Sequence, residues 1–152
     1  QLIEKQKIRF SYGITERQLS NYVKKASNIK GAGTAEKFYE ELESRLDNAV
    51  YRMGLAPSRR GSRQMVSHGH FIVNDHRVTV PSYELKPGDI IKIREGSKGS
   101  KLFENLEGRL KDYNVPAWLK FDVAKLEGKV IEKPKNIETF LDLNAVLEFY
   151  SR

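Results

Sequence analysis

At Gly69 the spacing of apolar residues along the chain changes from a helical pattern to a strand pattern. Within 19–26 and again within 38–53 apolar residues recur every three or four positions, as on one face of an α-helix. From His70 onward, the stretch "HFIVNDHRVTV" places β-branched and aromatic residues on both sides of an Asn-Asp pair. Because the two patterns need different backbone geometries, the sequence predicts helices followed by a small antiparallel sheet.

Three helices are predicted before this change. The stretch "ITERQL" at 14–19 starts the first, with Thr15 as the N-cap and Gln18 at the capping-box position. The second is predicted to run from about Thr34 to Met53 and to stop at Gly54. Its apolar stripe, which we expect to lie in the core, consists of Phe38, Leu42, Leu46, Val50 and Met53.

The stretch "RRGSRQMVSHGH" at 59–70 predicts a short helix that is capped by Ser58 and ended by Gly69. With the helix before it, it forms a pair of the helix-turn-helix type. Its polar side is either a solvated helix face or a surface that binds phosphate. At about 100° per residue, that side consists of Arg59, Arg60, Arg63, Gln64 and Ser67.

The later part of the chain predicts further elements. After the hairpin we expect a Pro87-Gly88 turn, a strand through Ile93, a loop at 96–101, a helix near Leu102–Lys111 and a closing helix at Leu143–Tyr150. The predicted fold class is α+β: a mostly helical domain with an inserted module of two helices and a small antiparallel sheet. The expected parts are the helical domain at 1–42, the module at 43–135 and a C-terminal helix at 136–152 that returns to the helical domain.

The formal net charge of +7 is unevenly distributed. Residues 1–30 and residues 57–101 each carry +5, whereas residues 31–56 carry −2 and residues 102–152 carry −1. Two basic blocks favour nucleic acid or another anionic surface as a partner, with general solubility as the alternative explanation. No apolar run approaches the roughly 18 residues of a membrane span, so we expect no membrane partner.

Catalysis and metal binding have little support in the sequence. No cysteine is present, and the third histidine, His76, lies across a turn from His68 and His70. Ser67-His68 alone makes no catalytic triad, and no nucleophile elbow, phosphate-binding loop or dinucleotide fingerprint occurs. We therefore expect no catalytic residues, no metal site, no cofactor and no enzymatic activity.

The segment Glu43–Glu95, with "RRGSRQMVSHGH" inside it, resembles the RNA-binding module of the bacterial family of small-subunit ribosomal protein four. The flanks resemble the same family: "EKQKIRFSYGITERQL" its first helical region, "PAWLKFD" and "LEGKV" a later segment, and "VLEFYSR" its C-terminal end. By this resemblance the RNA-binding motif covers about 43–101. The module also occurs in RNA-modifying and tRNA-charging enzymes, but because the flanks here resemble the ribosomal protein, we expect no catalytic domain.

The resemblance implies a structural constituent of the small ribosomal subunit that resides in the cytoplasm, in the ribosome. Such a protein is a primary binder of rRNA at a multi-helix junction, nucleates assembly of the subunit body, touches ribosomal protein five and influences decoding accuracy. The RNA contacts implied by the resemblance are Arg45, Asn48, Arg52, Arg59, Arg60, Arg63, Gln64, His68, Gly69 and His70. For Arg45 and Arg52, ion pairs with nearby acidic residues are an alternative. Further RNA-binding candidates in the first basic block are Lys5, Lys7, Arg9, Tyr12 and Arg17.

Two features depart from the family pattern. Family members often have a glycine in the hairpin turn where this chain has Asp75-His76, which leaves the geometry of the turn open. The family's N-terminal segment, which sometimes carries a cysteine zinc site, is missing, and we expect the natural N-terminus to precede Gln1. Two other functions also stay open: a stand-alone structured-RNA-binding stress or rescue factor, and a DNA-binding helix-turn-helix regulator.

Overall fold

The structure, a computed structural model, describes residues 2–28, 33–135 and 142–151. Residues 136–141 of the predicted C-terminal segment lie outside this range. Helices and one antiparallel sheet are both present, which confirms the predicted α+β class. None of the described helices combines the length and the apolar character that crossing a membrane requires.

The described elements alternate between helix-rich and strand-rich segments. In chain order they are α1 (Leu2–Tyr12), α2 (Glu16–Ser27), α3 (Thr34–Glu43), α4 (Leu46–Arg52), α5 (Arg59–Ser67), β1 (Phe71–Val73), β2 (His76–Arg77), β3 (Ile90–Ile93), α6 (Leu106–Leu110), β4 (Leu119–Asp122), β5 (Glu127–Val130) and α7 (Leu143–Ser151).

The chain divides into two compact units. The helical unit comprises residues 1–43 and 134–152, and the sheet unit comprises residues 44–133. In the helical unit, α2 begins with the predicted capping box: Thr15 Oγ1 accepts from the Gln18 amide, and Gln18 Oε1 accepts from the Thr15 amide. The core of this unit includes Ile8, Leu19, Val23, Phe38, Leu42, Leu143 and Val146.

The prediction of one long helix from Thr34 to Met53 is wrong, because the helix is interrupted at Ser44, between α3 and α4. The Leu85 amide donates to the Ser44 carbonyl (2.8 Å), and the Leu46 amide donates to the Tyr83 carbonyl (2.9 Å). A continuous helix would need both groups for its own hydrogen bonds between each amide and the carbonyl four residues earlier. The segment around Tyr83 therefore ends one helix and starts the next, although no glycine or proline marks the break.

α5 begins and ends with the two capping residues that the sequence predicts. The Ser58 hydroxyl accepts from the Gly61 amide (3.0 Å) at the start of the helix. At the other end Gly69 has φ +79°, its amide donates to the Val66 carbonyl, and the His70 amide donates to the Met65 carbonyl. These two bonds form a Schellman motif, which turns the chain directly from α5 into β1.

The five strands form one antiparallel sheet in the order β2-β1-β3-β5-β4. β1, β2 and β3 confirm the predicted hairpin and third strand, whereas the sequence did not predict β4 or β5. Gly128 on β5 lies close to Met53, the residue that follows α4: a Cβ added at Gly128 would collide with the Met53 sulfur. The core of the sheet unit includes Leu46, Val50, Met53, Met65, Val66, Phe71, Ile91, Ile93, Trp118 and Val130.

Two predictions between β3 and β4 need correction. The predicted loop at 96–101 overlaps 3-10 turns at Glu95–Ser97 and Lys101–Phe103. α6 is shorter than the helix predicted at Leu102–Lys111, because Asn105 has left-handed backbone (φ +54°) and interrupts the helix immediately before α6.

The hairpin turn between β1 and β2 consists of two residues, Asn74 and Asp75, and both have positive φ (48° and 70°). Positive φ at both central residues is the requirement of a type I′ turn. The Asn74 amide group donates to the Asp89 carboxylate (2.8 Å), and its side-chain oxygen accepts from the Ile90 amide (2.9 Å). Asn74 thus ties the turn to β3, and the turn forms without the glycine that the family pattern favours.

We predict that Asp75→Gly stabilises the sheet unit, because Asp75 is exposed and adopts a backbone conformation that favours glycine. The free energy of unfolding should rise by about 0.5–1 kcal/mol. Urea unfolding monitored by the fluorescence of buried Trp118, which lies in the same unit, measures this change. Asp75→Asn controls for the lost charge, since asparagine also tolerates this conformation. A loss of stability in the glycine variant would contradict the prediction.

Candidate nucleic-acid interface

Most of the positive charge of the chain belongs to the sheet unit. Residues 44–133 contain 17 Lys and Arg against 11 Asp and Glu, and so carry +6 of the net +7. The helical unit, although it contains the first basic block, is nearly neutral, because acidic residues on α3 and in the C-terminal segment offset that block. An interface for a polyanion is therefore expected on the sheet unit.

α5 presents the polar side that the sequence predicts. Ser62, Met65 and Val66 are buried, whereas Arg60, Gln64 and Ser67 are exposed. Arg60 makes no hydrogen bond or ion pair with any residue that the structure describes. Its guanidinium is therefore available to an external anion.

Arg59, at the first position of α5, is held by α4. Its Nε donates to Asn48 Oδ1 (2.9 Å), and its guanidinium carbon lies 4.6 Å from the centre of the Tyr51 ring. Asn48 is itself 0% exposed. The structure therefore gives Asn48 the role of positioning Arg59, in place of the predicted direct contact with RNA.

Two arginines that the sequence analysis did not select, Arg77 and Arg94, converge on the turn that follows α5. Arg77 Nε donates to the Gly69 carbonyl (2.9 Å), and Arg94 Nε donates to the same oxygen (3.2 Å). Gly69 permits this approach, because a Cβ at that position would collide with the Arg77 guanidinium. Strand pairing could have predicted the position of Arg77 and Arg94. They lie on β2 and at the end of β3, both strands pair with β1, and β1 starts two residues after Gly69.

His70 lies half-buried beside this pair. Its Nδ1 is 2.8 Å from the Ser97 hydroxyl, and its ring meets the Phe103 ring edge-on at 6.0 Å. Burial lowers the pKa of His70 below the ordinary value of 6.5, and the charges of His68, Arg94 and Arg77 lower it further. His68 is exposed at the end of α5. Within the described residues no three His, Asp or Glu side chains form a group that could hold a metal ion.

The two remaining candidates on the sheet unit lie on or before α4. Arg45 is buried, and its Nε and Nη2 each donate to one oxygen of the Asp47 carboxylate at 3.0 Å. An ion pair with a nearby acidic residue was the alternative to an RNA contact for Arg45, and this bidentate pair with Asp47 supports that structural role. Arg52 is half-buried at the end of α4, and Arg63 is half-buried on α5.

The structure gives most candidates on the helical unit internal partners. Tyr12 is buried and its hydroxyl donates to the Glu43 carboxylate (2.6 Å), so the side chain has no free face on which a base could stack. Lys5, also buried, donates to Glu16 (3.0 Å), and Arg9 Nη1 lies 3.5 Å from the same carboxylate. Exposed Lys7 pairs with Glu4, while exposed Arg17 has no ion pair among the described residues.

We predict that His70 makes the stability of the sheet unit pH-dependent. Because the unfolded chain binds a proton on His70 more tightly than the folded chain does, lowering the pH through 6.5 favours unfolding. The free energy of unfolding should fall between about pH 7.5 and about pH 5.5, and His70→Gln should show a smaller fall. Urea titrations at a series of pH values in this range measure the free energy of unfolding. His76→Gln is the matched control, because the His76 side chain is exposed. Identical profiles for wild type and His70→Gln would contradict this role.

Comparison with known proteins identifies the family. Residues 44–91 match the S4 domain family, and residues 1–43 match the Ribosomal protein S4/S9 N-terminal domain family. Small ribosomal subunit protein uS4 of Persephonella marina is 47% identical over 99% of this chain and 74% of its own length. The uS4 protein of Thermus thermophilus is 48% identical over 99% and 73%, and the uS4c protein of Cyanophora paradoxa is 45% identical over 99% and 76%. The chain therefore belongs to the family of small ribosomal subunit protein uS4, a family of structural ribosomal proteins and not of enzymes, as its resemblance to ribosomal protein four predicted.

Proposed function

We propose that the chain binds rRNA of the small ribosomal subunit through an arginine face on the sheet unit. This arginine face consists of Arg59, Arg60 and Arg63 on α5, with Arg77 and Arg94 at the end of that helix. The observation that carries the proposal is the density of guanidinium groups: three lie on one nine-residue helix, and two more converge on its C-terminal turn. Guanidinium groups match phosphate oxygens and also stack on bases.

The fixed positions of the guanidinium groups, as well as their charge, support recognition of folded RNA by the arginine face. Arg59 is fixed by Asn48 and Tyr51, and Arg77 and Arg94 are fixed by the Gly69 carbonyl, so their forks are pre-organised. α5 is about 13 Å long, which spaces the two groups of arginines along an RNA backbone. Gln64 on α5 and His68 directly after it are exposed, and they add hydrogen-bonding and stacking groups between the two groups of arginines.

Family membership supports a wider role for the chain. As part of the same proposal, the chain is a primary binder at an rRNA junction in the cytoplasmic ribosome. It nucleates assembly of the subunit body, touches ribosomal protein five and influences decoding accuracy. A junction binder should prefer a branched rRNA fragment to a plain RNA duplex, since shape and phosphate positions are what it reads. Equal affinity for the two RNAs would count against this part of the proposal.

The two alternative functions receive less support. A stand-alone RNA-binding factor would need only the S4 domain at 44–91, whereas the match to uS4 proteins extends over both units. A DNA regulator of the helix-turn-helix type reads bases from an exposed helix, usually as a dimer. A competition assay, in which branched RNA or duplex DNA of the same length is added to the complex of the protein with rRNA, tests the DNA-regulator alternative. DNA should displace rRNA from the protein only if that alternative is correct.

We predict that Arg60→Ala weakens rRNA binding without affecting the fold, because Arg60 is exposed and has no partner among the described residues. Affinity should fall roughly 3- to 10-fold at moderate salt. The slope of log affinity against log salt concentration should decrease by about one, the signature of one lost phosphate contact. Filter binding across a salt series measures both quantities.

Lys120→Ala is the matched control for this experiment. Lys120 is also exposed, but it lies on β4, at the edge of the sheet opposite β2. This variant should bind rRNA as the wild type does. If Arg60→Ala and Lys120→Ala behave alike, the arginine face is not the rRNA-binding surface.

A further inference from the structure

A groove of about 520 Å³ lies on the sheet unit beside α4 and α5. This volume falls within the range of about 300–1,000 Å³ that is typical of ligand sites. The rim of the groove is partly exposed, since Leu102 and Tyr113 each keep 42% of their surface accessible. Its lining includes Tyr51, Leu55, Met65, Leu102, Arg109 and Tyr113.

Two tyrosines form aromatic walls of the groove. The Tyr113 ring packs over Gly54, where a Cβ would collide with the Leu110 side chain and crowd the tyrosine ring. The Tyr113 hydroxyl donates to the Tyr51 carbonyl (3.2 Å), which holds the ring in place. The Tyr51 ring in turn lies under the Arg59 guanidinium. The groove is therefore continuous with the arginine face at Arg59.

Arg109 contributes a fixed cation to the same groove. Its Nη1 donates to the Leu102 and Glu104 carbonyls (3.0 and 3.1 Å), and its Nη2 donates to the Leu55 carbonyl (3.3 Å). Three backbone acceptors thus hold the guanidinium, and no carboxylate among the described residues pairs with it. Because Nε–H and part of Nη2 remain unused, Arg109 keeps both a positive charge and donors for a ligand.

We propose that this groove receives one unstacked nucleobase of the bound rRNA, which stacks on Tyr113 while Arg109 donates to its edge or stacks on its face. The proposal rests on the rRNA-binding function proposed above. Sequence-specific and single-stranded RNA recognition places splayed bases on aromatic rings and on guanidinium planes. The groove supplies both surfaces, and the adjoining arginine face supplies cations for the phosphates on either side of that nucleotide.

A base fits the groove better than a peptide side chain from a neighbouring protein. Arg109 is the charged side chain in its lining, and the adjoining Arg59 is also cationic, so the site favours an occupant attached to an anionic chain. The flat aromatic walls match a planar ring, while a base edge carries the acceptors that Arg109 can use. The occupant is therefore assigned to RNA.

Tyr113→Ala in the full chain tests the proposal against small-subunit rRNA in a filter-binding salt series. Loss of one stacked base should weaken affinity on the order of tenfold. The salt slope should stay unchanged, because no phosphate contact is lost. Tyr113→Phe keeps the ring but loses the hydroxyl bond to the Tyr51 carbonyl, and should bind more tightly than Tyr113→Ala. Tyr83→Ala is the matched control, since Tyr83 is 37% exposed on the same unit but outside the groove lining.

The outcomes separate this proposal from the one on which it rests. If Arg60→Ala weakens binding while Tyr113→Ala matches Tyr83→Ala, the groove proposal is overturned and the arginine face stands. If Arg60→Ala has no effect, the proposed arginine face itself fails. Normal rRNA affinity of Tyr113→Ala combined with poor incorporation into reconstituted subunits would indicate a protein occupant and would also overturn the proposal.

Ultraviolet crosslinking of the wild-type chain to small-subunit rRNA keeps the test decisive if Tyr113→Ala does not fold. Trypsin cleavage after Lys111 and Lys120 releases a peptide, residues 112–120, that contains Tyr113. We expect this peptide to carry a crosslinked nucleotide. Crosslinks on peptides from α5 but none on residues 112–120 would overturn the proposal.

Discussion

Backbone hydrogen bonds between the segment 81–85 and the start of α4 are the constraint on which the sheet unit depends. The Ser44 carbonyl and the Leu46 amide bond to this segment and therefore cannot form the hydrogen bonds of a continuous helix. These bonds thus separate α3 from α4. Since they fix where α4 begins, they also fix where the Asn48 and Tyr51 side chains lie. These two side chains hold Arg59, so a pairing of backbone groups decides how the first arginine of α5 is presented.

The turn at Gly69 has a comparable role at the other end of α5. Its positive φ directs the chain into β1, and the missing side chain lets the guanidinium groups of Arg77 and Arg94 reach its carbonyl oxygen. One residue thus couples helix termination to the assembly of a cationic cluster. Arg109, elsewhere in the unit, is likewise held by backbone carbonyl oxygens and not by carboxylates. Carbonyls hold a guanidinium in position without cancelling its charge, which suits a surface that binds an anionic polymer.

Local patterns allowed much of the fold and part of the candidate site to be predicted. The capping box at Thr15, the Ser58 cap, the Gly69 stop and the hairpin depend on neighbouring residues, and each was predicted. The break after Glu43 was missed because its cause lies about 40 residues away in the sequence. β4 and β5 were missed because Pro and Gly around them obscure the alternation that identifies a strand. Arg77 and Arg94 were missed because their proximity to α5 depends on strand register.

The sequence by itself determined the class of fold, the family, the positive charge and the polar side of α5, since these follow from composition and from spacing within one element. Only the tertiary structure decided which charged and aromatic residues are available to RNA. Tyr12, Arg45 and Asn48 match an RNA-binding pattern in the sequence, yet the fold buries all three against internal partners. Burial depends on contacts between segments distant in the chain. A side chain's type therefore predicts what it can bind, and packing determines whether it reaches a partner outside the protein.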